Sequence, residues 1–175
     1  MVDVLIKAVN MFQNRLPHSN ARLLIVGEGP EEGNLRELAS SRGLEENVVF
    51  LGYKSRKELL ELYNFADLFV LASYSEGLPF VLLEAMACEN VCVSTPVGEV
   101  VRVIREGDNG FLTKIGDSVD LAKKMWEILS LPEEQTSRIR TQARKTIEAE
   151  FDLRKITEKM IWVVSARAPI VAPSN

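Results

Sequence analysis

The feature that most constrains this chain is an alternation of two kinds of segment. Short apolar runs (Arg22-Leu23-Leu24-Ile25-Val26, Val48-Val49-Phe50-Leu51, Leu68-Phe69-Val70-Leu71 and Val91-Cys92-Val93-Ser94) are separated by longer stretches whose apolar residues repeat at helical spacing. Runs apolar on both sides suit strands buried between two layers, and neighbouring parallel strands need helical crossovers. The pattern therefore predicts an α/β fold, a parallel sheet with helices on both faces.

Local signals place the elements. Val4, Leu5, Ala8, Val9 and Phe12 repeat along a helix over residues 2–14, before Pro17-His18-Ser19-Asn20 breaks the chain. Gly27-Glu28-Gly29-Pro30 turns the first strand into a helix over about 31–42, closed by Gly43. Ser55 with Glu58 three residues later reads as a capping box and starts a helix at 56. A further helix opens near Pro79, and a short one covers about 99–106. Asp108-Asn109-Gly110 is a turn, Phe111-Leu112 a short strand, and Asp117 caps a helix with Leu121, Met125 and Leu129 on one face. After Pro132 come charged helices with thin apolar stripes, Ile139, Ala143 and Ile147, then Leu153, Ile156, Met160 and Val163. Residues 1–165 are read as one domain and residues 166–175, with two prolines and no periodic face, as a loose tail.

Bulk properties narrow the function. At 175 residues and 46% hydrophobic, the chain suits one domain with a substantial core. With 21 Lys+Arg against 25 Asp+Glu there is no basic stripe for a phosphate backbone, which argues against nucleic acid as a partner. No apolar run approaches the roughly 20 residues of a membrane-spanning helix. The start, Met1-Val2-Asp3-Val4, lacks the regions of a signal peptide, so a cytoplasmic location is expected, the full enzyme being peripheral to a membrane at most. Cys88 and Cys92 stand far in sequence from the single His18, and are expected to be buried free thiols rather than metal ligands.

The segment Ser73-Tyr74-Ser75-Glu76-Gly77-Leu78-Pro79-Phe80 joins the end of a strand to the start of a helix, with Pro79 at or near the first helical position. A helix start at the carboxyl edge of a parallel sheet offers N–H groups and the positive end of a dipole to a phosphate. Glu84, about one turn further, can accept hydrogen bonds from vicinal hydroxyls such as those of a ribose, and Glu76 lies in the loop. Each acid has an ordinary reading too: Glu76 as a solvated loop residue, Glu84 as a carboxylate favoured near a helix start.

The spacing Glu76-x7-Glu84, set in Ser75-Glu76-Gly77-Leu78-Pro79 and Leu83-Glu84-Ala85-Met86-Ala87, resembles the paired-glutamate motif of the group 1 glycosyltransferases, retaining enzymes of the GT-B fold. Leu24-Ile25-Val26-Gly27-Glu28-Gly29-Pro30, Val48-Val49-Phe50-Leu51-Gly52, Tyr63-x2-Ala66-Asp67-Leu68-Phe69-Val70 and Gly107-x2-Gly110-Phe111-Leu112 are similar to that family in the same order. The resemblance implies a Rossmann-like donor-binding domain. In it, Glu84 would bind the ribose of a UDP-, GDP- or ADP-sugar donor and Glu76 would lie beside the transferred sugar as the catalytic acid residue. Gly77, Leu78, Pro79 and Phe80 would line sugar and diphosphate, and Gly52, Tyr53 and Lys54 would face the base. No metal or other cofactor is implied.

The same resemblance implies departures. The family's first strand, and the turn that supplies an Arg and a Lys to the diphosphate, would precede Met1, so either another segment supplies that strand or the chain is a fragment, the reading preferred here. A missing N-terminal acceptor-binding domain is the expected partner, and the chain alone is expected to bind nucleotide weakly without turnover. The family's paired glycine is reduced to Gly98-Glu99, its following acid falls on Arg102, and Glu89 replaces the glycine after Cys88. An added Glu99 would repel a diphosphate unless it points away. Two other readings are a GT-B-fold nucleotide-sugar epimerase and a non-catalytic binding module.

Overall fold

The computed structural model describes residues 1–16 and 21–151. Along them run α1 (Val2–Arg15), β1 (Leu23–Val26), α2 (Glu32–Ser40), β2 (Val48–Gly52), α3 (Arg56–Phe65), β3 (Phe69–Leu71) and α4 (Phe80–Ala87). There follow β4 (Cys92–Ser94), α5 (Val100–Val103), β5 (Phe111–Leu112), α6 (Ser118–Leu129) and α7 (Glu133–Glu150). All strand pairs are parallel, as expected, but they form two sheets, β1-β2 and β3-β4-β5. The free edges of β1 and β3 have no strand partner among the described residues, and no single sheet is closed.

Helix α1 bridges the two sheets. Its Ile6 and Val9 pack with Leu23, Ile25, Val48 and Phe50 of the first sheet, while Val4 and Ala8 pack with Val91, Val93, Val70 and Phe111 at the second. Burial toward both sheets explains why Ile6, off the expected stripe, is fully buried. The second sheet is covered on both faces because successive side chains point to opposite sides. Phe69, Leu71 and Cys92 meet α4 and α5, and Val70, Val91 and Val93 meet α1 and α6.

Helix α6 corrects one expected face. Leu121 and Ile128 are buried, whereas Leu129 is 44% exposed. At about 100° per residue, position 128 returns to within about 20° of Leu121 and position 129 overshoots by about 80°. In α7, Ile139 and Ala143 are buried and Ile147 packs against the core, as the stripe predicted. The second stripe from Leu153 and the tail at 166–175 lie outside the described residues. The short helix expected over 99–106 keeps only Val100–Val103, since Asn109 takes over the Arg105 amide through its side-chain oxygen at 2.7 Å.

The end of α4 gives Glu89 a physical meaning. The amide of Asn90 donates to Ala85 O and that of Glu89 to Met86 O, both at 3.1 Å, the double bond of a Schellman closure. Glu89 occupies the left-handed position of that motif at φ 60°, where a Cβ is disfavoured by about 1–2 kcal/mol. Glu89→Gly is therefore expected to raise stability by about 0.5–1 kcal/mol. The loss of the exposed 3.7 Å contact to Arg144 offsets only a few tenths. Urea unfolding measures this, and a lower midpoint in the variant would show the ion pair to be the larger effect.

Candidate functional site

The loops that follow the strands leave from carboxyl ends, and two of them are stapled together. After β3, the Ser73 amide donates to Thr95 Oγ1 at 3.0 Å and Thr95 Oγ1 donates to Ser73 O at 2.8 Å. Further along, the Glu99 amide donates to Gly77 O at 3.1 Å. Between these bonds Gly98 lies so close that a Cβ on it would stand 1.9 Å from Glu76 O. Loop 73–79 is thus held in place by loop 95–99. Thr95 was not singled out in the sequence; a hydroxyl residue directly after an apolar strand was the available signal.

Loop 73–79 feeds α4. Pro79 is buried and forms the N-cap, one position before the helix proper, and no side chain caps this end among the described residues. The Leu82 amide donates to Pro79 O at 3.0 Å, while the Phe80 and Val81 N–H groups have no partner among the described residues and are left to water or a ligand. Glu76 and Leu78 are half-buried and Gly77 is exposed. Phe80, the first helical residue, is 66% exposed, and Tyr74 in the same loop is 69% exposed, a large aromatic surface beside an uncapped helix start.

Glu84 sits one turn into α4, half-buried, with Tyr63 Oη 3.4 Å from its Oε2. Burial, and then the charge of Glu84, push the Tyr63 hydroxyl up to about 12. The thiols nearby are free: Cys92 is buried as expected, but Cys88 is only half-buried, because it forms the C-cap of α4. Burial raises both thiols above their ordinary range.

Residues 52–54 lie on a different strand end. The amide of Gly27 donates to Gly52 O at 2.9 Å and that of Tyr53 to Glu28 Oε1 at 3.3 Å, so the loops after β1 and β2 brace each other. Glu28, not anticipated, occupies one of the main-chain groups expected to face a base. Tyr53 is 77% exposed, and Lys54 Nζ is 3.4 Å from Glu58. Glu58 is half of the capping box with Ser55 that the sequence predicted. Glu99 and Arg102, noted separately as departures, pair with each other at 2.7 Å. The Glu99 carboxylate therefore has a cation beside it.

The family described as glycosyl transferases group 1 matches residues 1–146. The chain belongs to that family. It is 34% identical over 151 residues to the N-acetyl-alpha-D-glucosaminyl L-malate synthase of Bacillus anthracis, covering 86% of this chain and 39% of that protein. The structure of Anabaena Alr3699/HepE in complex with UDP and glucose superposes with a TM-score of 0.83 at 25% identity, over 93% of this chain and 44% of the other. The C-terminal domain of the group 1 glycosyl transferase LpcC of Francisella tularensis shares the fold, with a TM-score of 0.77 at 22% identity, over 87% of this chain and 80% of that domain. This group 1 glycosyltransferase chain thus spans less than half the length of that synthase and of the Anabaena protein. No helix among the described residues is long and apolar enough to cross a membrane.

Proposed function

We propose that residues 1–165 of this chain form the donor-binding unit of a two-domain glycosyltransferase, holding a nucleoside-diphosphate sugar where loop 73–79 enters α4. The observation that carries this reading is the junction itself. An uncapped helix start follows a stapled loop bearing Glu76, with Glu84 one turn further on the same helix. The helix N–H groups and dipole suit the diphosphate and the charge that develops on it as it leaves. Glu84 accepts hydrogen bonds from the ribose, and Glu76 stands beside the transferred sugar. Gly77, Leu78, Pro79 and Phe80 line sugar and diphosphate, while Gly52, Tyr53 and Lys54 face the base. The acceptor hydroxyl approaches the face the diphosphate leaves, which retains configuration, and an N-terminal domain supplies the acceptor site. Membership of the family favours transfer over epimerisation, and the UDP in the Anabaena structure favours a uridine donor. We place the reaction in the cytoplasm.

Calorimetric titration of the chain with UDP, GDP and ADP and their sugars tests this. Glu84→Ala is expected to lose about 1.5–3 kcal/mol per charge-assisted bond removed, roughly 10- to 150-fold in Kd. An unchanged affinity would remove Glu84 from the site.

A further inference from the structure

Tyr63 is anchored more firmly than packing of its ring requires. It is 8% exposed and its ring meets Phe69 edge-on, with centroids 5.8 Å apart. Its main-chain oxygen, near the end of α3 where helical carbonyls lose their partners, accepts from the buried Asn90 Nδ2 at 2.8 Å. The same Nδ2 lies 3.4 Å from Ala85 O on α4, so one amide ties α3 to the helix that carries Glu84. Held from both sides, the phenol ends 3.4 Å from Glu84 Oε2.

We propose that Tyr63 is a positioning residue for Glu84: its hydroxyl donates to Oε2 and fixes the carboxylate so that Oε1 is turned to the ribose hydroxyls. This rests on the ribose-binding reading of Glu84. At 3.4 Å the bond is long for two oxygens, as such bonds commonly are before a ligand tightens them. The hydroxyl keeps its proton through neutral and mildly alkaline pH, since burial and the neighbouring carboxylate hold it at about 12. It therefore acts as a fixed donor and not as an acid or base. A fixed carboxylate has less rotamer freedom to lose on binding, which is how such a residue raises affinity without touching the ligand.

The test uses the whole chain and a pair of ligands, UDP and 2′,3′-dideoxy-UDP, titrated against wild type, Tyr63→Phe, Glu84→Ala and the double variant. Phenylalanine keeps the ring against Phe69 and leaves the main-chain bond to Asn90 intact. Tyr63→Phe is expected to weaken UDP about 5- to 10-fold and leave the dideoxy ligand unchanged, with no further effect in the Glu84→Ala background. A purely structural role would weaken both ligands alike, and that result overturns the proposal. Discrimination lost in Glu84→Ala but kept in Tyr63→Phe overturns it while sparing the ribose reading. Wild type that does not distinguish the two ligands overturns both.

Discussion

Asn109→Ala is expected to lower the stability of this chain by about 3–4 kcal/mol, among the largest effects available to a single polar residue. Asn109 is fully buried and uses its whole side-chain amide. Its oxygen accepts from the Arg105 amide at 2.7 Å, and its nitrogen donates to Val103 O at 2.9 Å and to Thr146 Oγ1 at 3.0 Å. Alanine removes three bonds and leaves the part-buried Arg105 N–H and the buried Val103 carbonyl without that partner, at about 1–3 kcal/mol for each group that water does not reach. The contact also joins parts distant in sequence, because Thr146 lies on α7 while Val103 ends α5 and Arg105 follows it. Thermal unfolding should show a midpoint lower by roughly 10 °C for a domain of this size. Asn34, whose side chain bonds only the exposed Glu31 among the described residues, is the control and should change by less than about 0.5 kcal/mol on the same substitution. A midpoint within a degree or two of wild type for Asn109→Ala would show that water replaces the lost partners.

That residue also marks how far the sequence reaches. Asp108-Asn109-Gly110 is legible as a turn, because asparagine and glycine favour the backbone that turns need. The bond to α7 is not, since nothing local distinguishes an asparagine that bonds its own turn from one that bonds a helix 37 residues on. The capping box at Ser55 and Glu58 and the cap at Asp117 were legible for the opposite reason: donor and acceptor lie within three residues. The strands were readable as apolar runs, but their division into two sheets was not, since pairing is a long-range property. At the candidate site the Glu76–Glu84 spacing stood out only through resemblance, because a single acid near a helix start has an ordinary explanation. Thr95, Glu28 and Tyr63 act through contacts across loops and helices, which periodicity does not record. Glu99 and Arg102 looked like two separate departures, and three-dimensional spacing on one helical turn makes them a pair.

The loop contact at Gly98 leads to the second large effect. Gly98→Ala is expected to weaken nucleotide binding by about 10²-fold and to destabilise the chain by about 2–4 kcal/mol. Two costs combine. Gly98 has φ +53°, a left-handed conformation that costs a residue with a Cβ about 1–2 kcal/mol. The new Cβ would also stand 1.9 Å from Glu76 O, 2.7 Å from Gly77 O and 2.9 Å from Glu76 C, all backbone atoms that cannot rotate away. Loop 73–79 has to move, and the bond from the Glu99 amide to Gly77 O is strained with it. Because that loop carries Glu76 and sets the entrance to α4, a shift of about 1 Å displaces together the groups proposed to face sugar and phosphate. Gly107→Ala separates the two costs, since Gly107 has φ +72° but open space around the added methyl. It should lose only the conformational part of the stability and bind nucleotide as wild type does. Denaturant unfolding with UDP titration of both variants decides the matter. Equal losses in the two would mean that backbone strain alone matters and that loop 95–99 does not hold Glu76 in place.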